Sequence, residues 1–121
     1  MRTADIAVLV VEDEPLIQMD AVDFLEDAGF KVYFSGTARE AIACLENFPD
    51  IRVVFTDINM PGDMDGLALS KSVRDRWPPV HIIVTSGKRF IGSAELPSDA
   101  VFIAKPYRYD RIVEQILQMA A

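Results

Sequence analysis

The sequence predicts an α/β fold: a doubly wound, five-stranded parallel sheet with helices on both faces. Three observations lead there. Five short apolar runs recur along the 121 residues, several of them unbroken, as strands covered on both faces require. Helix-period segments alternate with these runs, the pattern of right-handed βαβ crossovers. No repeat, linker or low-complexity tract interrupts the alternation, so one domain over residues 1–121 is expected.

The first strand is Ile6–Val11. A helix over Glu14–Ala28 follows, with Ile17, Ala21, Phe24 and Ala28 on one face and a stop at Gly29. Val32–Phe34 is the second strand. Thr37 and Glu40 have the spacing of a capping box and open a helix over Thr37–Phe48, whose apolar positions are Ala38, Ala41, Ile42 and Leu45. Ile51–Phe55 is the third strand, and a helix over Asp65–Trp77 carries Leu69, Val73 and Trp77 before Pro78-Pro79 ends it. Val80–Val84 and Ala100–Ala104 are the last strands, and Tyr109–Ala120 is the closing helix, with Ile112, Val113, Ile116 and Leu117. One segment breaks the rule. Between the last two strands, Ser86–Asp99 contains Gly87, Gly92 and Pro97, and Gly and Pro cost a helix interior roughly 1 and 3 kcal/mol against Ala. A short, irregular or mobile helix over Phe90–Leu96 is expected there.

Composition narrows the function classes. A net charge of −7 argues against direct nucleic-acid or anionic-membrane binding, since both need concentrated positive charge. The single cysteine, Cys44, excludes an internal disulfide and fits a reducing compartment. The run between Asp5 and Glu12 is too short for a signal-peptide core and far short of the ~20 residues that span a bilayer. The expected location is the cytoplasm, with no membrane association.

In an open parallel sheet, ligands bind beyond the carboxyl ends of the strands. Those ends carry Glu12 and Asp13, then Asp57, then Thr85 and Ser86, then Lys105. Three carboxylates gathered there repel one another by roughly 4 kcal/mol per pair at about 4 Å and an effective dielectric near ~20. They need a cation, a proton or a chemical use. Acidic clusters in a wet cleft suit Mg²⁺, a hard ion that takes oxygen ligands and keeps several waters. A hydroxyl and an ammonium opposite the acids can hold phosphoryl oxygens, and one carboxylate can then act as nucleophile.

Four stretches resemble, in order and spacing, the receiver domain of two-component response regulators: VVEDE (Val10–Glu14), TDINMPGDMDG (Thr56–Gly66), VTSG (Val84–Gly87) and AKPY (Ala104–Tyr107). The resemblance runs from end to end of the chain. It implies a flavodoxin-like sheet of order 2-1-3-4-5. It also implies that Asp57 accepts a phosphoryl group from a histidine kinase or histidine phosphotransfer protein. Asp13 and Asp57 would bind Mg²⁺ directly, Glu12 mainly through water, and Asn59 through its backbone carbonyl. Thr85 would hydrogen-bond the phosphoryl group and Lys105 would pair with Asp57. Phe102 holds the position of a switch aromatic coupled to Thr85, and a cis Lys105-Pro106 peptide is expected.

The resemblance further implies a signalling domain rather than a turnover enzyme. Its output would be phosphorylation-controlled contact with an unknown downstream protein. Because the chain starts at Met1 and ends just past the closing helix, a single-domain receiver is expected. A monomer or weak dimer is expected too, since the weakened segment falls where the family builds its usual dimer face. A small Mg²⁺-dependent aspartyl-phosphate phosphatase or phosphotransferase is the alternative. Such enzymes generally place a second acid two residues after the nucleophile, where this chain has Asn59. The loop Gly62-Asp63-Met64 holds one residue more than most receivers. His81, Cys44, Trp77 and Tyr107 read as packing residues.

Overall fold

Unbroken apolar strands need cover on both faces, and the computed structural model of the chain supplies it. The structure describes residues 2–88, 91–92 and 94–121. Five strands, β1 (Ala7–Val11), β2 (Lys31–Ser35), β3 (Ile51–Asp57), β4 (His81–Ser86) and β5 (Val101–Ala104), form one sheet of order β2-β1-β3-β4-β5. All four pairings are parallel, as the doubly wound flavodoxin-like order requires. Among the described residues, four α-helices cover it: α1 (Pro15–Asp27), α2 (Ala38–Asn47), α3 (Gly66–Arg76) and α4 (Tyr109–Ala120). Alternate strand residues feed two cores. Leu9, Val54, Ile82 and Val84 pack with Ala41, Leu45, Leu69 and Val73 of α2 and α3. Val8, Val10, Phe55 and Ile83 pack with Ala21, Leu25, Ile112 and Ile116 of α1 and α4.

Local sequence explains the element ends. The Thr37 hydroxyl caps α2 by accepting from Glu40 N–H at 3.1 Å, and Glu40 reaches back to Gly36 N–H at 3.0 Å. Asp65 caps α3 by accepting from Ala68 N–H at 2.9 Å. Gly29, at φ 102°, ends α1 in a conformation that other residues resist.

The strands reach further than the apolar runs suggest. β3 continues through Thr56 to Asp57, and β4 starts at His81 and runs through Thr85 to Ser86. Two helix faces differ from expectation as well. On α1 the buried stripe is Ala21 and Leu25, while Ile17 and Phe24 stay 37% and 38% exposed. Phe24 instead stacks on Tyr109 of α4 at 5.2 Å. On α4, Leu117 lies at the exposed edge and Ala120 takes the inner position.

The segment between β4 and β5 departs most from the βα rule. Its described residues form turns and bends, with Glu95 N–H donating to Gly92 O at 3.0 Å and Ala100 N–H to Pro97 O at 3.2 Å. Part of the helix expected over Phe90–Leu96 lies outside the described residues, namely Phe90 and Ser93. What anchors the segment is side-chain chemistry. Ile91 is buried in the α2/α3 core, and the Arg74 guanidinium donates to the carbonyls of Ser98, Pro78 and Val80 at 2.7–2.8 Å. Among the described residues, no helix is long and apolar enough to cross a membrane.

Candidate functional site

Parallel pairing brings the carboxyl ends of β1, β3, β4 and β5 to one edge. Asp57 is the last residue of β3 and faces Thr85 of β4 in register. Its side chain is held at both oxygens. Oδ1 accepts from Asn59 N–H at 3.0 Å, and Oδ2 accepts from Lys105 Nζ at 2.6 Å. Asp57 is only 7% exposed, so the ammonium compensates a charge that water reaches poorly. Lys105 is set by the backbone: its N–H donates to Ser86 O at 3.1 Å, and the following Lys105-Pro106 peptide is cis.

Glu12 and Asp13 follow β1 and differ sharply in setting. Asp13 is exposed, whereas Glu12 is 6% exposed. Glu12 Oε2 accepts from Glu14 N–H at 3.1 Å, and Oε1 lies 3.8 Å from Lys105 Nζ. Gln18 fixes this turn from α1, its Nε2 donating to Glu12 O at 3.0 Å and Ser35 O at 3.1 Å. No sequence pattern marks Gln18, because its partners are carbonyls from two separate strand ends.

Burial pushes the Glu12 carboxyl up from 4.5 to about 7, and the Asp57 charge adds to this, against the Glu14 N–H and Lys105. The folded metal-free chain therefore holds this proton more tightly than the unfolded chain does. The resulting stability is complete below about 4.5 and is lost as pH rises through about 7. Denaturant unfolding is expected to show a fall of at most about 3 kcal/mol across that window. Glu12→Gln should lack this component of the slope; an identical slope in that variant would reassign the effect.

The acids, Asn59, Lys88 and Lys105 line one cleft of about 300 Å³. Among the described residues, no three acidic, histidine or cysteine side chains form a ready-made metal cage. The donor set is nonetheless all oxygen, with one buried and one exposed carboxylate beside Asp57. That suits a hard ion that keeps several waters and needs only one or two carboxylates. Thr85 supplies a second observation. Its Oγ1 is buried and has no hydrogen-bond partner among the described residues, an uncompensated group on the residue paired in register with Asp57. Phe102 lies half-buried on β5, opposite Val84 and one register step from Thr85, and packs against the α2/α3 core.

Of the residues expected at the strand ends, Glu12, Asp13, Asp57 and Lys105 line this cleft together with Asn59, which the resemblance implied, and Thr85 pairs with Asp57 in register. Gln18 and Lys88 were not singled out, and Gly66 was named only as the end of the Thr56–Gly66 stretch. Gly66 opens α3 against the backbone of Asp57 and Ile58, with its N–H donating to Ile58 O at 2.9 Å.

Known proteins resemble this chain in sequence and in fold. The chain is 37% identical over 112 residues to the C4-dicarboxylate transport transcriptional regulatory protein DctD of Rhizobium meliloti, covering 89% of this chain and 24% of that protein. It is 31% identical over 116 residues to the sensor kinase CckA of Brucella abortus, covering 93% of this chain and 12% of that protein. The chain therefore spans a quarter or less of the length of these relatives. Among solved structures, a response regulator receiver protein from Sinorhizobium medicae superposes with a TM-score of 0.87 at 25% identity, covering 94% of this chain and 93% of that one. Residues 8–117 match the response regulator receiver domain, and the chain belongs to that family of two-component signalling domains.

Proposed function

We propose that Asp57 is the phosphoacceptor of this receiver and takes its phosphoryl group from a histidine kinase or histidine phosphotransfer protein. The observation that carries this is a buried, doubly held Asp57 in register with Thr85 of β4, whose buried hydroxyl has no partner among the described residues. One Asp57 oxygen forms a bond to phosphorus as the donor's bond to phosphorus breaks, and the donor leaves with the bonding pair. The product is an acyl phosphate. Lys105 then follows the negative charge onto the phosphoryl oxygens, and Thr85 Oγ1 gains the partner it lacks.

Glu12, Asp13, Asp57 and the Asn59 carbonyl are the groups that would hold Mg²⁺. When bound there, the ion would neutralise charge on the phosphoryl oxygens and oppose the repulsion among the acids. Thr85 and Phe102 form the switch in this reading: movement of Thr85 toward the phosphoryl group opens space beside β5. The output is contact with a downstream protein. The net charge of −7 supports a protein partner over nucleic acid.

The test is incubation with acetyl phosphate followed by intact mass measurement. At most one phosphoryl group per chain is expected, with Mg²⁺ required and chelator abolishing uptake. Labelling that proceeds unchanged in excess chelator would sink the metal assignment. Continuous release of phosphate from small esters would favour a turnover enzyme instead.

A further inference from the structure

The acidic turn after β1 stands between two open spaces. Glu12 and Asp13 line the Asp57 cleft, and both also line a second cleft of about 510 Å³, whose other walls include Pro15, Gln18, Phe34 and Glu40. Three consecutive acids, Glu12, Asp13 and Glu14, repel one another along the turn. With space on both sides, the turn depends on hydrogen bonds to hold its course. The Gln18 carboxamide supplies two of them. Its nitrogen carries two N–H donors, and both are used: Nε2 donates to Glu12 O at 3.0 Å and to Ser35 O at 3.1 Å. Ser35 O also accepts from Glu12 N–H at 3.1 Å. One side chain of α1 thus ties the ends of β1 and β2 together around Glu12.

We propose that Gln18 is a positioning residue for the divalent cation: it fixes the backbone of the acidic turn, so that the Glu12 and Asp13 carboxylates are held at the cleft before the ion arrives. This rests on those acids being the Mg²⁺ ligands. A hard ion that keeps several of its waters takes only one or two carboxylates, so its affinity depends on where those few oxygens stand. A turn fixed in advance spares the binding step the cost of ordering it. Gln18 lines the second cleft and grips carbonyls, so it acts through the turn and not as a ligand.

The experiment titrates Mg²⁺ into the protein and follows the backbone amide NMR signals of Glu12, Asp13 and Asp57. Gln18→Met keeps the length and helix propensity of the side chain and removes both donors. It is expected to raise the Mg²⁺ dissociation constant about fivefold, the factor that one neutral hydrogen bond commands. Phosphoryl uptake from acetyl phosphate should shift in the same sense: half-saturating Mg²⁺ rises about fivefold, and saturating Mg²⁺ returns the rate to the wild-type value. Ile116→Val, fully buried in the α4 core, lowers global stability away from the turn and should leave Mg²⁺ affinity unchanged. Unchanged affinity in Gln18→Met overturns the proposal. So does an equal loss in Ile116→Val, because global stability and not the turn would then set the affinity. Either result leaves the acids standing as ligands, since the wild-type chain still binds. A wild-type chain whose three signals ignore Mg²⁺ overturns the metal reading and the role of Gln18 together.

Discussion

Asp57→Asn is expected to abolish phosphoryl uptake. The substitution nearly preserves shape, so the fold and the Asn59 and Lys105 neighbours at 3.0 and 2.6 Å stay in place. Reactivity does not survive, because an amide delocalises the lone pair that a carboxylate offers to phosphorus. Intact mass after acetyl phosphate treatment reads the result directly, and labelling equal to wild type would remove Asp57 from the mechanism. The same variant makes an independent electrostatic prediction. The Asp57 charge raises the Glu12 carboxyl and Lys105 lowers it. Removing the charge and freeing Lys105 both act downward, so the Glu12 midpoint should fall below about 7. Carboxyl titration followed by NMR in the metal-free protein checks the direction, and a rise would contradict it.

Gly66→Ala carries the largest expected effect on stability. A Cβ at this position overlaps the Asp57 carbonyl oxygen and comes within 2.8 Å of Ile58 Cα. Both neighbours are backbone, so no side-chain rotation relieves the clash. Either α3 or the end of β3 has to move, and overpacking of this kind costs on the order of 3 kcal/mol or more. For a chain of this size, thermal unfolding should fall by roughly 10 °C. Phosphoryl uptake should drop in the fraction that remains folded, because the displaced atoms belong to Asp57. Gly92→Ala is the control, since none of the described residues lies within 4 Å of a Cβ there. A Gly66→Ala protein as stable as the Gly92→Ala protein would contradict the packing described here.

The site was more legible in the sequence than the surfaces around it, for a geometric reason. Parallel strands bring residues at their carboxyl ends together whatever the intervening helices do. Glu12, Asp57, Thr85 and Lys105 could therefore be placed side by side from strand order alone. Helix faces were read less well because hydrophobicity does not say which neighbour is available. Ile17 and Phe24 of α1 fit the helical period, yet both remain more than a third exposed, and Phe24 finds Tyr109 rather than the core. The weakness of Ser86–Asp99 as a helix was visible in its glycines and proline. Its actual anchor was not, since Arg74 ties the Ser98 carbonyl to those of Pro78 and Val80 ahead of β4, and carbonyls carry no signature in the side-chain sequence. Gln18 stayed hidden for the same reason: it donates to backbone carbonyls of two separate strand ends.

Among the three acids at this sheet edge, Asp57 alone is expected to carry the phosphoryl group, and chemical trapping distinguishes them. The protein is treated with acetyl phosphate and Mg²⁺, reduced with borohydride to convert any acyl phosphate to the alcohol, and sequenced by tandem mass spectrometry. The expected product is homoserine at position 57, with Glu12 and Asp13 unchanged. A reduced residue at position 12 or 13, with Asp57 intact, would remove Asp57 as the phosphoacceptor.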